Sequence, residues 1–182
     1  MKRIILSSIL FLSFCFGIDL DTSNTQVYWI GYKFANKTAV KGSFKDIKLK
    51  FSRGSGIAGV LTGSTATIDP EKVSTGNPAS EKNLTLSFFQ KFIGKNIKVK
   101  LEKVIEGQNA GTILAKITMN KKTQLVPLQY EVKDGSLLAK GIIDILSFKL
   151  DDAYKSISEA CKTQHQGLTW SQVEIGFIIP TK

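Results

Sequence analysis

Ile97-Lys98-Val99-Lys100-Leu101-Glu102 alternates apolar and charged side chains without a break. Successive residues of a strand point to opposite faces, so this pattern sets Ile97, Val99 and Leu101 against a core and leaves Lys98 and Lys100 in water. The same period recurs on either side. Ile47, Leu49 and Phe51 alternate with Lys48 and Lys50, and Leu128, Tyr130 and Val132 follow a run holding Leu114 and Ile117. Val173, Ile175, Phe177 and Ile179 close the chain against Gln172 and Glu174. Asn120-Lys121-Lys122 and Lys133-Asp134-Gly135 read as hairpin turns, and Arg53-Gly54-Ser55-Gly56 as a loop. The expectation is a mainly β chain: an antiparallel barrel of about eight strands, closed because closure removes exposed edges.

Two segments change period. Asn77-Pro78 is an N-cap followed by proline at the first helical position, and Glu81 lies in the first turn. Leu84, Phe88 and Phe92 recur every four residues, which predicts a helix over about 78–92 with one apolar stripe. A second helix is predicted from Asp151, with Leu150, Tyr154, Ile157 and Cys161 on one face and Gly167 as its stop.

The 182 residues suit one domain, and 42% hydrophobic with 22% charged excludes a disordered or fibrous chain. Lys2-Arg3 followed by the apolar run Ile4 to Phe16 reads as a secretory signal cut after Gly17, leaving residues 18–182 as the domain. The rival reading, a lipoprotein signal with Cys15 lipidated, places Phe14 where a small residue is needed. Cleavage removes two cations and no acid, lowering the net charge from +10 to +8, and leaves Cys161 as the single cysteine. An exported chain with one cysteine has no internal disulfide, and its thiol is expected to be buried. The expected location is periplasmic or secreted.

The lysines are spread along strands as a solvated face, no nucleic-acid motif is present, and export argues against such a partner. His165 is the single histidine, and no Gly-x-Ser-x-Gly elbow, phosphate loop or dinucleotide fingerprint exists. Cys161 and His165 are four apart, but two ligands do not make a zinc site. The expectation is a protein that is not an enzyme and carries no metal or cofactor. A barrel of this size is either filled by side chains or holds one slender apolar ligand. The large apolar residues placed in its strands are Trp29, Phe44, Leu101, Leu114, Leu128 and Tyr130, then Ile142, Phe148, Trp170, Ile175 and Phe177.

Five stretches, in order, resemble the YceI-like family of exported bacterial lipid-binding proteins. Val40-Lys41-Gly42-Ser43-Phe44 resembles its Val-x-Gly-x-Phe, and Ile68-Asp69 with Val73-Ser74-Thr75-Gly76-Asn77 its next segment. Phe88-Phe89 matches its paired phenylalanines. Ile117-Thr118-Met119-Asn120 with Thr123 and Val126-Pro127-Leu128 is similar to its hairpin, and Gly141-Ile142-Ile143-Asp144 through Phe148 to its last motif. The chain departs from the pattern at Lys33, where many members carry histidine, at Lys121 in place of the hairpin glycine, and at Ile145, Ser147 and Lys149. Cys161 to Trp170 looks like an insert of one branch of the family.

The resemblance implies a lipocalin-like barrel with a deep apolar pocket. It implies non-catalytic binding or transport of a long-chain amphiphile: a polyisoprenoid, quinone tail, fatty acid or fatty amide. It also implies homodimers. On that reading Leu84, Phe88, Phe89 and Phe92 form a flap that touches the ligand, and Tyr154 joins the strand residues named above. Tyr32, Lys33 and His165 are the head-group candidates. The alternative is an interaction barrel whose basic surface engages an anionic envelope component or a host partner.

Overall fold

Two-residue turns set the long meander that forms most of the sheet. The computed structural model describes residues 18–164 and 168–182; the expected signal peptide and His165 lie outside them. Strand β7 (Ala110–Met119) reverses into β8 (Lys122–Lys133) through Asn120 and Lys121, with φ of 47° and 59°. β8 reverses into β9 (Ser136–Asp144) through Asp134 and Gly135, with φ of 50° and 73°. Positive φ at both central residues gives the turn twist that matches a right-handed hairpin. Lys121 therefore occupies a conformation that glycine adopts at less cost.

Asn120 does more than turn the chain. Its side chain is buried, accepts from the Ile93 amide at 2.8 Å, and donates to the Phe148 and Lys149 carbonyls at 3.1 and 2.8 Å. One amide group thus ties together three separate segments at one end of the sheet.

The remaining strands are β1 (Gln26–Lys33), β2 (Thr38–Phe44), β3 (Ile47–Lys50), β4 (Thr65–Ile68), β5 (Val73–Ser74), β6 (Ile97–Glu106) and β10 (Gln172–Pro180). They form one antiparallel sheet in the order β3-β4-β6-β7-β8-β9-β10-β1-β2-β5. Ten strands are described rather than about eight, because β3, β4 and β5 are pieces of two to four residues. A bulge between Leu101 and Lys103 bends β6 and switches its inward positions from odd to even, so that Val104 pairs with Ile113. The β8–β9 ladder ends at Gln129 and Lys140, short of Pro127, which has no N–H to give.

The sheet curls into a lipocalin-like barrel, but its hydrogen bonds do not run full circle among the described residues. β3 and β5 are the two ends of the ladder. At the corner where β2 runs into β3 and β4 runs toward β5, the Lys45 amide donates to Lys72 O at 2.7 Å and the Asp69 amide to Asp46 O at 3.3 Å. Helix α2 (Pro78–Ser87) lies by this seam, in contact with β5 and with α3 (Asp151–Ala160).

Asn77 caps α2 as expected, accepting from the Ser80 amide at 3.0 Å, with Pro78 next. The helix stops at Ser87 rather than 92; Phe88 leaves helical geometry and Phe89–Lys91 form one 3-10 turn. α3 starts at Asp151 and ends at Ala160, with Cys161 as its C-cap, ahead of Gly167, which lies outside the described residues.

A third helix, α1 (Gly56–Leu61), starts on the last residue of the expected loop. Ile57 and Leu61 are buried in the core, and Glu106 accepts from the Ala58 amide at 3.0 Å. Six residues with two glycines carry too short a pattern for helical period to show.

Candidate functional site

The inner faces of the strands and the two longer helices enclose an apolar cavity of about 330 Å³. One wall is the β1–β10 pair: Val27, Trp29 and Gly31 alternate inward on β1, opposite Val173, Ile175 and Phe177 on β10. The facing wall comes from β4, β6 and β7, including Ile97, Val99, Leu101, Ile117 and Met119. Leu84, Phe88, Phe89 and Phe92 come from α2 and the turn after it, and Ile157 and Cys161 from α3.

The seam side is aromatic. Phe88 lies edge-on to Phe89 at 5.1 Å and to Phe92 at 5.3 Å; Phe89 meets Phe92 at 5.6 Å and Phe44 at 5.8 Å. Such edge-to-face contacts are the favoured geometry of ring quadrupoles. Trp29 needs Gly42 beneath it: a Cβ on Gly42 would stand 2.2 Å from the indole Cζ2. That close approach is the physical reason for glycine in Val40-Lys41-Gly42-Ser43-Phe44.

Polar groups gather where β1 ends. Thr169 bridges to Lys33, the Phe34 amide donates to Leu168 O at 3.3 Å, and the Trp170 amide to Tyr32 O at 3.1 Å. The Trp170 indole N–H donates to Phe34 O at 2.7 Å, and the Tyr154 hydroxyl to Thr169 O at 2.6 Å. Lys37 sits over the Trp170 ring at 4.4 Å. Lys33, Gln164, Thr169 and Cys161 all line the cavity here. Cys161 is buried and free; burial pushes its thiol up, only partly opposed by the nearby Lys33 ammonium. The thiol therefore stays protonated at neutral pH.

Of the residues predicted for the site, Trp29, Phe44, Leu84, Phe88, Phe89 and Phe92 line the cavity. So do Leu101, Leu128, Trp170, Ile175 and Phe177, with Tyr32 and Lys33 among the head-group candidates. Alternation puts Tyr32 on the strand face of Tyr28, whose hydroxyl points to Glu174 at 3.5 Å and is pushed up to about 12, by burial first and Glu174 second.

Five placements need correction. Ile142 is 65% exposed, because β9 turns its odd residues inward and Ile143 takes the lining position. Leu114 is likewise on the outer face of β7, between inward Ile113 and Ala115. Tyr130 is buried but off the cavity; burial, and then the Glu106 carboxylate, push its hydroxyl up. Phe148 is fully buried in the core behind the cavity. Tyr154 does not line it and instead holds Thr169. The sequence reading passed over Cys161, Gln164 and Thr169 as lining groups; the apolar stripe of α3 was the available signal for the first.

Known proteins fit this architecture. The structure superposes on a polyisoprenoid-binding domain from Saccharophagus degradans with a TM-score of 0.61 at 11% identity, covering 91% of this chain and 98% of that one. It superposes on BcnA of Burkholderia cenocepacia with a TM-score of 0.60 at 16% identity, covering 88% and 98%. The YceI protein of Campylobacter jejuni gives 0.57 at 18% identity, covering 80% and 86%. At these identities the likeness is one of fold. None of the curated proteins matches the sequence. The model of the YceI-like domain matches residues 19–176, and the chain accordingly belongs to the YceI-like family.

Proposed function

We propose that this protein is an exported, non-catalytic carrier of one long-chain amphiphilic lipid, held with its tail in the barrel cavity. The observation that carries the reading is the cavity itself: about 330 Å³, walled almost wholly by aliphatic and aromatic side chains, inside a barrel that a structural role would leave filled. The Saccharophagus degradans neighbour is a polyisoprenoid-binding domain, which supports an isoprenoid tail as one candidate; the aliphatic wall suits a fatty tail as another. Each methylene moved from water into such a wall contributes about 0.8 kcal/mol, so a tail of about a dozen carbons gains roughly 10 kcal/mol before the costs of association. The tail thus sets affinity, and the cavity accepts several tails of similar length. Homodimerisation and a periplasmic or secreted location belong to the same proposal.

Organic extraction of the purified protein, followed by mass spectrometry, tests it. One long-chain amphiphile per chain is the expected result. A protein that yields no lipid, and takes up none when offered fatty and isoprenoid tails, favours the alternative, a barrel that acts through its basic surface.

A further inference from the structure

We infer that the cavity selects a monoanionic head group, a carboxylate, which pairs with Lys33; the inference rests on the carrier reading above. Lys33 is the one charged residue among the described residues that line the cavity. It is half-buried, and none of the ion pairs among the described residues includes it. Its ammonium lies 5.5 Å from the centre of the Phe34 ring, a weak substitute for a carboxylate. A half-buried cation without a counter-ion keeps only part of its hydration, and a bound anion relieves that loss. The neighbouring groups do not relieve it: the Cys161 thiol stays neutral, Gln164 is uncharged, and the Thr169 hydroxyl is buried with no hydrogen-bond partner among the described residues.

The direction of the ligand follows from the strand. Val27, Trp29, Gly31 and Lys33 share the inward face of β1, and Lys33 is its last residue. At about 3.3 Å per residue this row spans roughly 20 Å. A head group at Lys33 therefore lays its tail under Trp29 toward Val27. A charge-assisted hydrogen bond from the ammonium to a carboxylate is about twice as strong as one to a neutral amide oxygen, so acid and amide of equal tail separate on this contact alone.

The test compares hexadecanoic acid with hexadecanamide, each titrated below its aggregation limit into full-length processed protein stripped of co-purified lipid. Wild type is expected to prefer the acid by roughly tenfold. Lys33→Met and Lys33→Gln should lose that preference by weakening the acid alone, and Lys33→Arg should keep it. Lys140→Met, at an exposed lysine on the outside of β9, should change neither affinity. Equal affinities in wild type overturn the head-group assignment and leave the carrier reading standing. So does an equal loss on both probes in both neutral Lys33 variants that retain the native melting transition, or a loss in Lys140→Met as large as in Lys33→Met. If neither probe nor an isoprenoid binds wild type, the carrier reading itself fails and this inference with it.

Discussion

The barrel has a hard side and a soft side. From β6 to β9 the strands are nine to twelve residues long, β7 pairs along its whole length with β8 and, past one bulge, along most of it with β6, and Ile113, Ala115, Leu137 and Ala139 are fully buried between them. Across the cavity, α2 buries no residue completely. It is held by Phe88, Phe89 and Phe92 packed on one another, and by polar contacts at its start. The first side has the cooperativity of a folded core. The second has few buried contacts, and on the carrier reading proposed above it is the segment expected to move for a ligand to enter. The difference puts the stable core in the meander and, on the same reading, ligand access at the α2 seam.

Ile113→Ala should break the hard side. The residue is fully buried and paired with Val104 and Leu128, so truncation leaves a cavity the long strands cannot collapse into. A loss of about 2–5 kcal/mol is expected in denaturant unfolding, with a large drop in melting temperature. A loss below about 1 kcal/mol would show that the meander is not the stable core.

Phe88→Asp should break the soft side at less cost to folding. Phe88 is only partly buried, yet it lines the cavity and joins two ring contacts. Co-purified lipid should be lost while global stability falls by about 1–2 kcal/mol, less than for Ile113→Ala. Unchanged lipid content in the folded variant removes Phe88 from the flap.

Much of this division was legible in the sequence, and the parts that were not share a cause. Period two located the long strands, and Asn77-Pro78 located the start of α2, because both signals are local. The choice of face failed where both faces are apolar: Ile113-Leu114 and Ile142-Ile143 each offer two candidates, and only register decides which points inward. Helix length failed at Phe88, where the ring cluster overrides helical spacing. Tyr130 and Phe148 lie where the barrel is filled: Tyr130 packs in the core with Ile57 and Leu61 of α1, and Phe148 belongs to a 3-10 turn, Ile145–Phe148, rather than to a strand, its carbonyl held by Asn120. The polar end of the site was half legible: Lys33 stood out as a departure from the family, whereas Thr169 and Gln164 enter through tertiary contacts.

Cys161 offers a measure of how often the soft side opens. The thiol is buried under α3 on the cavity, and α3 packs on α2. Thiol reagents should label the native protein roughly a hundredfold or more slowly than the unfolded chain, because both burial and the raised thiol pKa oppose reaction. Phe88→Asp should speed labelling without speeding global unfolding. Native labelling as fast as in denaturant would place Cys161 on an open surface.

The smallest effect should come from Glu81, where the start of α2 is fastened to the sheet. Its carboxylate accepts from the Thr75 and Gly76 amides at 2.9 and 3.2 Å and pairs with Lys45 at 3.0 Å. These contacts, the Thr75 amide foremost and Lys45 next, hold its pKa below the ordinary 4.5. A carboxyl with a lowered folded pKa contributes its stabilisation in full above the unfolded value and loses it as pH falls through the folded one. The carboxylate is half-buried at the surface and its partner Lys45 is exposed, so global stability should hardly move, while the fastening loosens locally. Protection of the Thr75 and Gly76 amides from hydrogen exchange, corrected for intrinsic rates, should therefore fall as pH is lowered from about 6 to about 3. In Glu81→Gln it should be low at both ends of that range. Protection that stays level across the range in wild type would show that α2 is held by its phenylalanines alone, and that the seam has no polar latch.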